Sequence, residues 1–271
     1  MRGPPPAATV LAAKQALNLG SRLLRQGRAH VGALIGKGDR DFATAVDLRI
    51  EETIKESLRE ALPEIPFLGE EEGGPGIEAG LIWVLDPIDG TVNFMRGSPL
   101  CSISLALMEA GEPSLAIVDL PLMGERFVAA RGAGAYLHGQ RISISAVDRL
   151  HDAAIGLADF SVGPESEQEN RLHLGIIQRL AVESLRIRVH GSAALDLAWL
   201  AAGRLDATLM LSNLPWDVSG GVLLVREAGG AVYDLDGTPH TPRSRFTLAS
   251  TPALAGPLTE IVGVALAAAG G

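Results

Sequence analysis

Two aspartates, Asp86 and Asp89, stand three residues apart directly after an apolar run. Carboxylates at this spacing on a turn can converge on one site, and in a dry site they would repel each other unless cations lay between them. Gly90 follows and permits a tight or positive-φ backbone. The amides of Gly90 and Thr91 would then point outward at the end of a strand, where open α/β sheets bind ligands. This stretch is the first candidate for a functional site.

The element that must position these residues is the run at 81–85, five apolar residues in succession. Such a run suits a strand buried on both faces, as in α/β proteins. Pro87 cannot donate to a sheet ladder, so we expect the strand to end near Asp86 and the chain to turn there.

Further acidic residues lie beside the ends of predicted elements. Asp47 stands three residues after Thr44 at the start of an apolar helical stripe, and this capping-box pattern explains Asp47 without any catalytic role. Glu70 follows a short predicted strand at 65–69, and Asp217 opens a predicted helix. Oxygen-only ligands select hard ions such as Mg²⁺. The carboxylates that meet this description are Glu70, Asp86, Asp89 and Asp217.

Other metal and redox chemistries find little support in the sequence. None of the six histidines stands in a pair with zinc-ligand spacing, and there is no cysteine cluster. The single cysteine, Cys101, excludes an internal disulfide and lies in an apolar run, where a small buried hydrophobe is expected.

Composition limits the class of protein. With 271 residues, 47% apolar and 20% charged, the chain can bury a large core as one domain over 1–271, or as two closely joined halves of about 1–150 and 151–271. The net charge of -9 argues against a nucleic-acid partner. No segment approaches the ~18 apolar residues of a membrane span, and no signal-peptide pattern begins the chain, so we expect no membrane partner and a soluble, cytoplasmic protein.

Two glycine-containing segments invite a functional interpretation. Residues 32–38 resemble a phosphate-binding P-loop, but the glycine spacing is one residue short and no Ser or Thr follows Lys37, so a mobile loop fits better. At 190–194 a second strand-to-helix junction carries Ser192, whose simplest role is a helix N-cap. Amides at that helix start could also hold a hydroxylated or anionic group. Ser192 is not set in Gly-x-Ser-x-Gly, which argues against a hydrolase nucleophile.

Periodicity predicts alternating strands and helices along the remaining chain. The predicted strands lie at 102–107, 115–118, 127–130, 154–157, 187–190, 206–211, 231–233 and 246–249. The predicted helices lie at 11–24, 44–58, 172–182, 192–203, 216–229 and 258–266.

Taken together, these motifs resemble the inositol monophosphatase family of metal-dependent phosphomonoesterases. The matching segments are 69–71, 83–94, 191–193, 216–217 and 227–230, with Asp41, Thr44 and Asp47 behind Lys37. The resemblance implies a layered αβαβα sandwich of the inositol monophosphatase and fructose-1,6-bisphosphatase type, commonly a homodimer. It also implies two or three Mg²⁺ ions in each active site.

The resemblance further implies roles for individual residues. Glu70, Asp86 and the carbonyl of Ile88 would hold one Mg²⁺, while Asp86, Asp89 and Asp217 would hold a second. Glu70 would also serve a weaker third ion through water.

The remaining roles concern water and substrate. Asp47 and Thr91 correspond to the pair that orients the attacking water, and with Glu70 they form the implied catalytic set. The amides of Gly90 and Thr91 would receive phosphate oxygens, and Lys37 would lie on a mobile active-site loop. The positions that match those contacting the substrate are Asp89, Gly90, Thr91, Gly191, Ser192, Ala193 and Asp217.

One departure from the family pattern concerns the substrate. Inositol-selective members carry a glutamate seven residues before the Asp217 equivalent, where this chain has Met210. A polyol would lose on the order of 1–3 kcal/mol of binding there unless another acceptor substitutes. The resemblance still makes inositol 1-phosphate the first candidate, but this departure leaves histidinol phosphate, fructose 1,6-bisphosphate, glycerol phosphates and nucleotide-type phosphates open.

Two alternatives from other classes stay open at this point. A haloacid-dehalogenase-type phosphatase carries a similar Asp-x-Asp-Gly-Thr motif, but here both Pro87 and Ile88 separate the aspartates, which would turn the acid away from the nucleophile. A non-catalytic regulatory protein would keep the fold and use its surface, although every residue expected of a working metal site is present.

Overall fold

The structure is a computed structural model that describes residues 3–28, 34–38, 41–78, 80–163, 166–211, 213–241 and 243–269. Its helices are α1 (Ala7–Gly27), α2 (Ala45–Ala61), α3 (Thr91–Met95), α4 (Ser166–Glu183), α5 (Ala193–Ala201), α6 (Pro215–Glu227) and α7 (Ala255–Ala269). Its strands are β1 (Leu34–Gly38), β2 (Asp41–Thr44), β3 (Phe67–Gly69), β4 (Leu81–Asp89), β5 (Ser102–Glu109), β6 (Glu112–Leu120), β7 (Glu125–Ala130), β8 (Gly134–Leu137), β9 (Gln140–Ile142), β10 (Ala154–Leu157), β11 (Arg186–Val189), β12 (Ala207–Met210), β13 (Ala231–Tyr233) and β14 (Thr247–Ser250).

The two larger sheets and their helices form five layers. One sheet has seven strands in the order β3-β4-β5-β6-β7-β8-β9, and the other has five in the order β11-β10-β12-β14-β13. Helices α1 and α2 cover the outer face of the seven-stranded sheet, α5 and α6 lie between the sheets, and α4 and α7 cover the outer face of the five-stranded sheet. The predicted αβαβα sandwich is confirmed.

Strand β4 is buried on both faces, which explains its continuous apolar run. Trp83 and Leu85 point into the core formed with α1 and α2. Ile82 and Val84 point to the opposite side, into a smaller cluster against which Trp216 of α6 packs. A strand covered on both faces has no solvent side and therefore no polar alternation. The sheet is nonetheless mostly antiparallel, with only β3 and β4 paired in parallel.

The strand carrying the aspartates is longer than predicted. Strand β4 continues through Pro87 to Asp89 instead of ending near Asp86. Its pairing with β5 shifts here, because Asp86 opposes Ser104 and Asp89 opposes Ser102. Two residues of β4 thus face one of β5, a β-bulge, which is where a sheet tolerates proline.

The segment around Lys37 also differs from its prediction. Residues 34–38 form β1, which pairs with β2 in an antiparallel hairpin, so the loop prediction was wrong for this backbone. The side chain of Lys37, like residues 32 and 33, lies outside the described part of the chain. The strands β8 and β9 were not predicted, because they have only four and three residues and β8 begins in the glycine-containing segment 131–135, which is typical of a connecting bend.

The other predicted elements are present with shifted ends. Within the described ranges no helix is both long and apolar enough to cross a membrane. The seven-stranded sheet is drawn from residues 67–142 and the five-stranded sheet from 154–250. The single domain over 1–271 and its division near residue 150 both stay predictions.

Candidate active site

Glu70 and Asp86 are neighbours because their strands run in parallel. Gly69 of β3 opposes Leu85 of β4, so both chains reach the same sheet edge together. The backbone N–H of Glu70 then donates to the carbonyl of Leu85 at 3.1 Å, which continues the pairing by one residue. The side chains of Glu70 and Asp86 form a hydrogen bond with each other. Two carboxyl groups in such contact must share a proton or a cation.

Asp89 accepts hydrogen bonds from both halves of the chain. Its Oδ2 receives the hydroxyl of Ser102 at 3.1 Å and that of Ser192 at 2.6 Å. The amide of Ala194 donates to the same oxygen at 2.8 Å, and the amide of Ala193 donates to Oδ1 at 3.1 Å. Asp89 therefore caps the N-terminus of α5 from a distant part of the chain.

This arrangement changes the interpretation of Ser192. The residue stands at the N-cap position of α5, but its side chain makes no cap hydrogen bond to the helix. Its hydroxyl donates a hydrogen bond to Asp89 instead. The sequence could not predict this contact, since the two residues are 103 positions apart.

Asp47 and Thr91 are in direct contact. The hydroxyl of Thr91 lies 3.2 Å from Asp47 Oδ1 and 3.0 Å from the carbonyl oxygen of Ile88. The other oxygen of Asp47 accepts from the backbone N–H of Thr44 at 3.0 Å and from the Thr44 hydroxyl, which confirms the capping box. Asp47 therefore begins α2 and orients Thr91 at the same time.

Gly90 joins the aspartate motif to the start of α5. Its φ is +89°, and a Cβ there would lie 2.9 Å from the carbonyl oxygen of Gly191 and 3.0 Å from that of Leu100. Only glycine fits this conformation and this close approach. Asn93 strengthens the same junction, because its Nδ2 donates to the carbonyls of His190 at 2.6 Å and Leu100 at 2.8 Å. The sequence motif contained Asn93 but gave it no role.

Asp217 reaches the site from the first turn of α6, between the two sheets. Its Oδ2 accepts the backbone N–H of Leu214 at 3.3 Å, as expected of a helix-start residue. The same side chain faces a cavity of about 510 Å³. Both interpretations of Asp217 that the sequence left open are therefore compatible with its position.

That cavity collects most of the predicted site residues. Those among its lining are Glu70, Asp86, Ile88, Asp89, Gly90, Thr91, Gly191, Ser192, Ala193 and Asp217. Asp47 contacts this set through Thr91 and is buried behind it. The lining also includes three carboxylates that the sequence did not single out, Asp159, Glu169 and Asp196, together with Met210.

Burial and mutual repulsion act on the buried carboxyl groups. Burial, then the carboxylates of Glu70, Asp89 and Asp217, raise the pKa of Asp86 well above its ordinary value. Burial raises the pKa of Asp89 to about 6, although the hydrogen bonds from Ser192 and Ala194 oppose this. Burial also raises the pKa of Asp47 against the hydrogen bonds from Thr44. In each group burial disfavours the ionised form, and positive charge nearby would favour it again.

The site fits a hard cation in its donor chemistry. Asp86 Oδ1 is buried and has no hydrogen-bond donor among the described residues. A buried carboxylate oxygen without a donor is costly, and a cation beside it would remove that cost. The nearby side chains of Glu70, Asp89 and Asp217 offer only oxygen, as Mg²⁺ prefers. In the described part of the chain, however, no three Asp, Glu, His or Cys side chains are already arranged to hold an ion.

Comparison with known proteins gives consistent matches across the chain. A profile of the inositol monophosphatase family matches residues 7–265. The inositol-1-monophosphatase ImpA of Mycolicibacterium smegmatis is 39% identical over 228 residues, which cover 84% of this chain and 82% of that protein. The Nus factor SuhB of Xylella fastidiosa is 39% identical over 239 residues, covering 86% and 83%.

A solved structure supports the same assignment. The crystal structure of the extragenic suppressor protein suhB from Bartonella henselae matches with a TM-score of 0.87 at 32% identity, covering 94% of this chain and 98% of that one. These matches leave no support for a haloacid-dehalogenase fold. The chain belongs to the inositol monophosphatase family of phosphoric monoester hydrolases.

Proposed function

We propose that this chain hydrolyses the phosphate monoester of a small alcohol with Mg²⁺ and an activated water, without a covalent enzyme intermediate. The observation that carries the proposal is Asp86, whose buried Oδ1 has no donor among the described residues and which Glu70, Asp89 and Asp217 surround. A site of this kind is unfavourable until cations enter it.

The ligand sets that the family resemblance implies suit this site. Glu70, Asp86 and the Ile88 carbonyl would hold one Mg²⁺, and Asp86, Asp89 and Asp217 a second, with a weaker third ion at Glu70. Bound there, Mg²⁺ would supply the positive charge that neutralises the phosphoryl oxygens and acidifies the attacking water. Enzymes accelerate phosphate monoester hydrolysis by up to ~10²¹-fold. A positioned acid or base supplies only about 10²–10⁴ of this, so side-chain proton transfer alone falls short.

Asp47 and Thr91 would handle the attacking water. The Thr91 hydroxyl, held between Asp47 Oδ1 and the Ile88 carbonyl, can accept a hydrogen bond from a water on its exposed side. Because burial raises the pKa of Asp47, this carboxylate is a better proton acceptor than an exposed aspartate. The amides of Gly90 and Thr91 would receive phosphate oxygens, which the positive φ of Gly90 favours.

Asp217 would place the water that protonates the leaving alcohol. It stands at the first turn of α6 and lines the same cavity as Gly191, Ser192 and Ala193. These three residues would surround the alcohol part of the substrate together with Asp89.

Inositol 1-phosphate is the first candidate substrate, and the cavity lining ranks the others. Met210 lies in the lining, and its thioether sulfur is only a weak acceptor for a polyol hydroxyl. None of the described lining residues is Lys, Arg or His. A second phosphate would therefore meet carboxylates, which argues against fructose 1,6-bisphosphate and leaves histidinol phosphate as the stronger alternative.

The test is phosphate release from inositol 1-phosphate, histidinol phosphate, glycerol phosphate and fructose 1,6-bisphosphate, with and without Mg²⁺. We expect Mg²⁺-dependent release from at least one single-phosphate ester and the lowest kcat/KM for the bisphosphate. No release from any ester in the presence of Mg²⁺ would contradict the proposal.

A regulatory role is a second candidate, favoured by the 39% identity to a protein named Nus factor SuhB. The absence of phosphate release from every ester, combined with binding to transcription proteins, would favour it. The homodimer, the cytoplasmic location and the absence of a nucleic-acid partner stay predictions, which light scattering, cell fractionation and a nucleic-acid binding assay can test.

A further inference from the structure

Glu51 is a fully buried carboxylate next to the proposed cation site. It lies on α2 one helical turn after Asp47, so both carboxylates occupy the same face of the helix. Its Oε1 accepts the backbone N–H of Glu72 at 2.8 Å, and its Oε2 accepts that of Glu71 at 3.0 Å. Both carboxylate oxygens of Glu51 thus accept hydrogen bonds from consecutive amides of the turn that carries Glu70.

Gly69 makes this contact possible. A Cβ at Gly69 would overlap the carboxyl group of Glu51, so any larger residue would push the carboxylate away from the turn. Gly69 directly precedes Glu70 in the sequence. The close approach of Glu51 and the position of Glu70 therefore depend on the same glycine.

These contacts hold Glu70 from both sides. Before it, β3 pairs with β4, and the N–H of Glu70 itself donates to the carbonyl of Leu85. After it, the amides of Glu71 and Glu72 are bound by Glu51. Lys55, one turn further along α2, pairs with the side chain of Glu72 and extends the same polar stripe.

We propose that Glu51 is a positioning residue that holds the Glu70 carboxylate at the cation site and thereby sets the affinity of the site for its cation. The inference rests on the proposed function, since it takes Glu70 as a ligand. Burying a carboxylate is costly, and an apolar side chain would fill the same space at lower cost if packing alone were needed. The two hydrogen bonds from the amides of Glu71 and Glu72 explain why a charged residue is kept at Glu51. Residues that contact a metal ligand without touching the metal commonly orient that ligand.

The test is a titration of the full chain with Mn²⁺, in which the electron paramagnetic resonance signal measures the concentration of free ion. Glu51→Gln keeps the size of the side chain but turns an amide NH₂ toward a backbone N–H. We expect about 10-fold weaker Mn²⁺ binding. The Mg²⁺ concentration for half-maximal turnover should rise by the same factor, with kcat at saturating Mg²⁺ within about 3-fold of wild type. The matched control is Glu52→Gln, an exposed neighbour that should change neither quantity.

Gly69→Ala disturbs the same contact without changing Glu51, because the new Cβ would overlap the Glu51 carboxyl group. This variant should also bind Mn²⁺ more weakly. Circular dichroism identifies the variants that fold. Folded Glu51→Gln or Gly69→Ala with wild-type Mn²⁺ affinity, even at a lower Tm, would overturn the inference and leave Glu51 a packing residue. A wild-type chain that binds no Mn²⁺ would instead overturn the proposed function, and the inference with it.

Discussion

The hydroxyl of Ser192 donates to Asp89 Oδ2 at 2.6 Å, which joins the aspartate motif on the seven-stranded sheet to the start of α5 between the sheets. The amides of Ala193 and Ala194 donate to the same carboxylate. Asp89 therefore has two tasks, since it caps a helix and belongs to the proposed cation site. Its charge favours both tasks, because helix N-termini and cations each attract anions.

Replacing Asp89 tests the second task. We expect Asp89→Asn to lower kcat by about 100-fold or more, because a neutral amide is a weaker ligand for the proposed ion. The variant keeps one carbonyl oxygen for the α5 amides, so circular dichroism should show an intact fold. Asp148→Asn, which changes an exposed aspartate, is the control and should keep wild-type turnover. An Asp89→Asn variant that retains most of the wild-type rate would remove the second cation site.

Mg²⁺ itself should stabilise the fold. A ligand at 100 times its Kd adds about 2.7 kcal/mol to the free energy of unfolding, which corresponds to roughly 5 °C in Tm for a chain of this size. The effect should shrink at pH 5, because burial raises the pKa values of Asp86 and Asp89 and protons then compete with the ion. Differential scanning fluorimetry at pH 7.5 and pH 5 measures both quantities. An equal Tm increase at the two pH values would contradict this account.

His240 should add a second loss of stability toward low pH, independent of Mg²⁺. Burial, and then the cation of Arg226, lower the pKa of His240 to about 4. In the unfolded chain the imidazole takes up its proton near pH 6.5. The contribution of His240 to the free energy of unfolding is therefore complete above pH 6.5. It falls as the pH drops toward 4, by on the order of 3 kcal/mol.

Urea unfolding of wild type and His240→Gln between pH 4 and pH 7.5 tests this expectation. The difference in unfolding free energy between the two should shrink as the pH falls below 6.5. The same slope in wild type and His240→Gln would show that the pKa of His240 is the same in the folded and unfolded chain, and would contradict the expectation.

Met210 tests substrate choice. We expect Met210→Glu to raise kcat/KM for inositol 1-phosphate about 10-fold relative to glycerol phosphate, because a new acceptor meets polyol hydroxyls. Met210→Leu conserves the apolar character and volume and should leave the ratio unchanged. If Met210→Glu lowers both values equally, the residue does not face the alcohol part of the substrate.

The sequence was informative wherever a local pattern determines structure. The capping box of Thr44 and Asp47 and the two-faced burial of β4 follow from short-range rules, and the structure confirms both. The helix start at Asp217 was close, with α6 beginning at Pro215. In each case the deciding residues lie within a few positions of one another.

Contacts between distant residues were not predictable in this way. Nothing near Asp89 indicates that Ser192 and Ala194 donate to it, and the bulge at Pro87 depends on the register with β5. Glu51 left a faint signal, since Asp47, Glu51 and Lys55 recur at four-residue steps along α2. Such a stripe usually faces solvent, and only the packing of α2 against the turn after β3 buries Glu51.

The most direct measurement is a crystal structure with Mn²⁺ soaked into the site and located by its anomalous scattering. The account predicts an anomalous peak among the carboxylates of Glu70, Asp86, Asp89 and Asp217, with Asp86 as a shared ligand. Clear density for these four side chains with no ion between them, at a Mn²⁺ concentration that supports turnover, would contradict it.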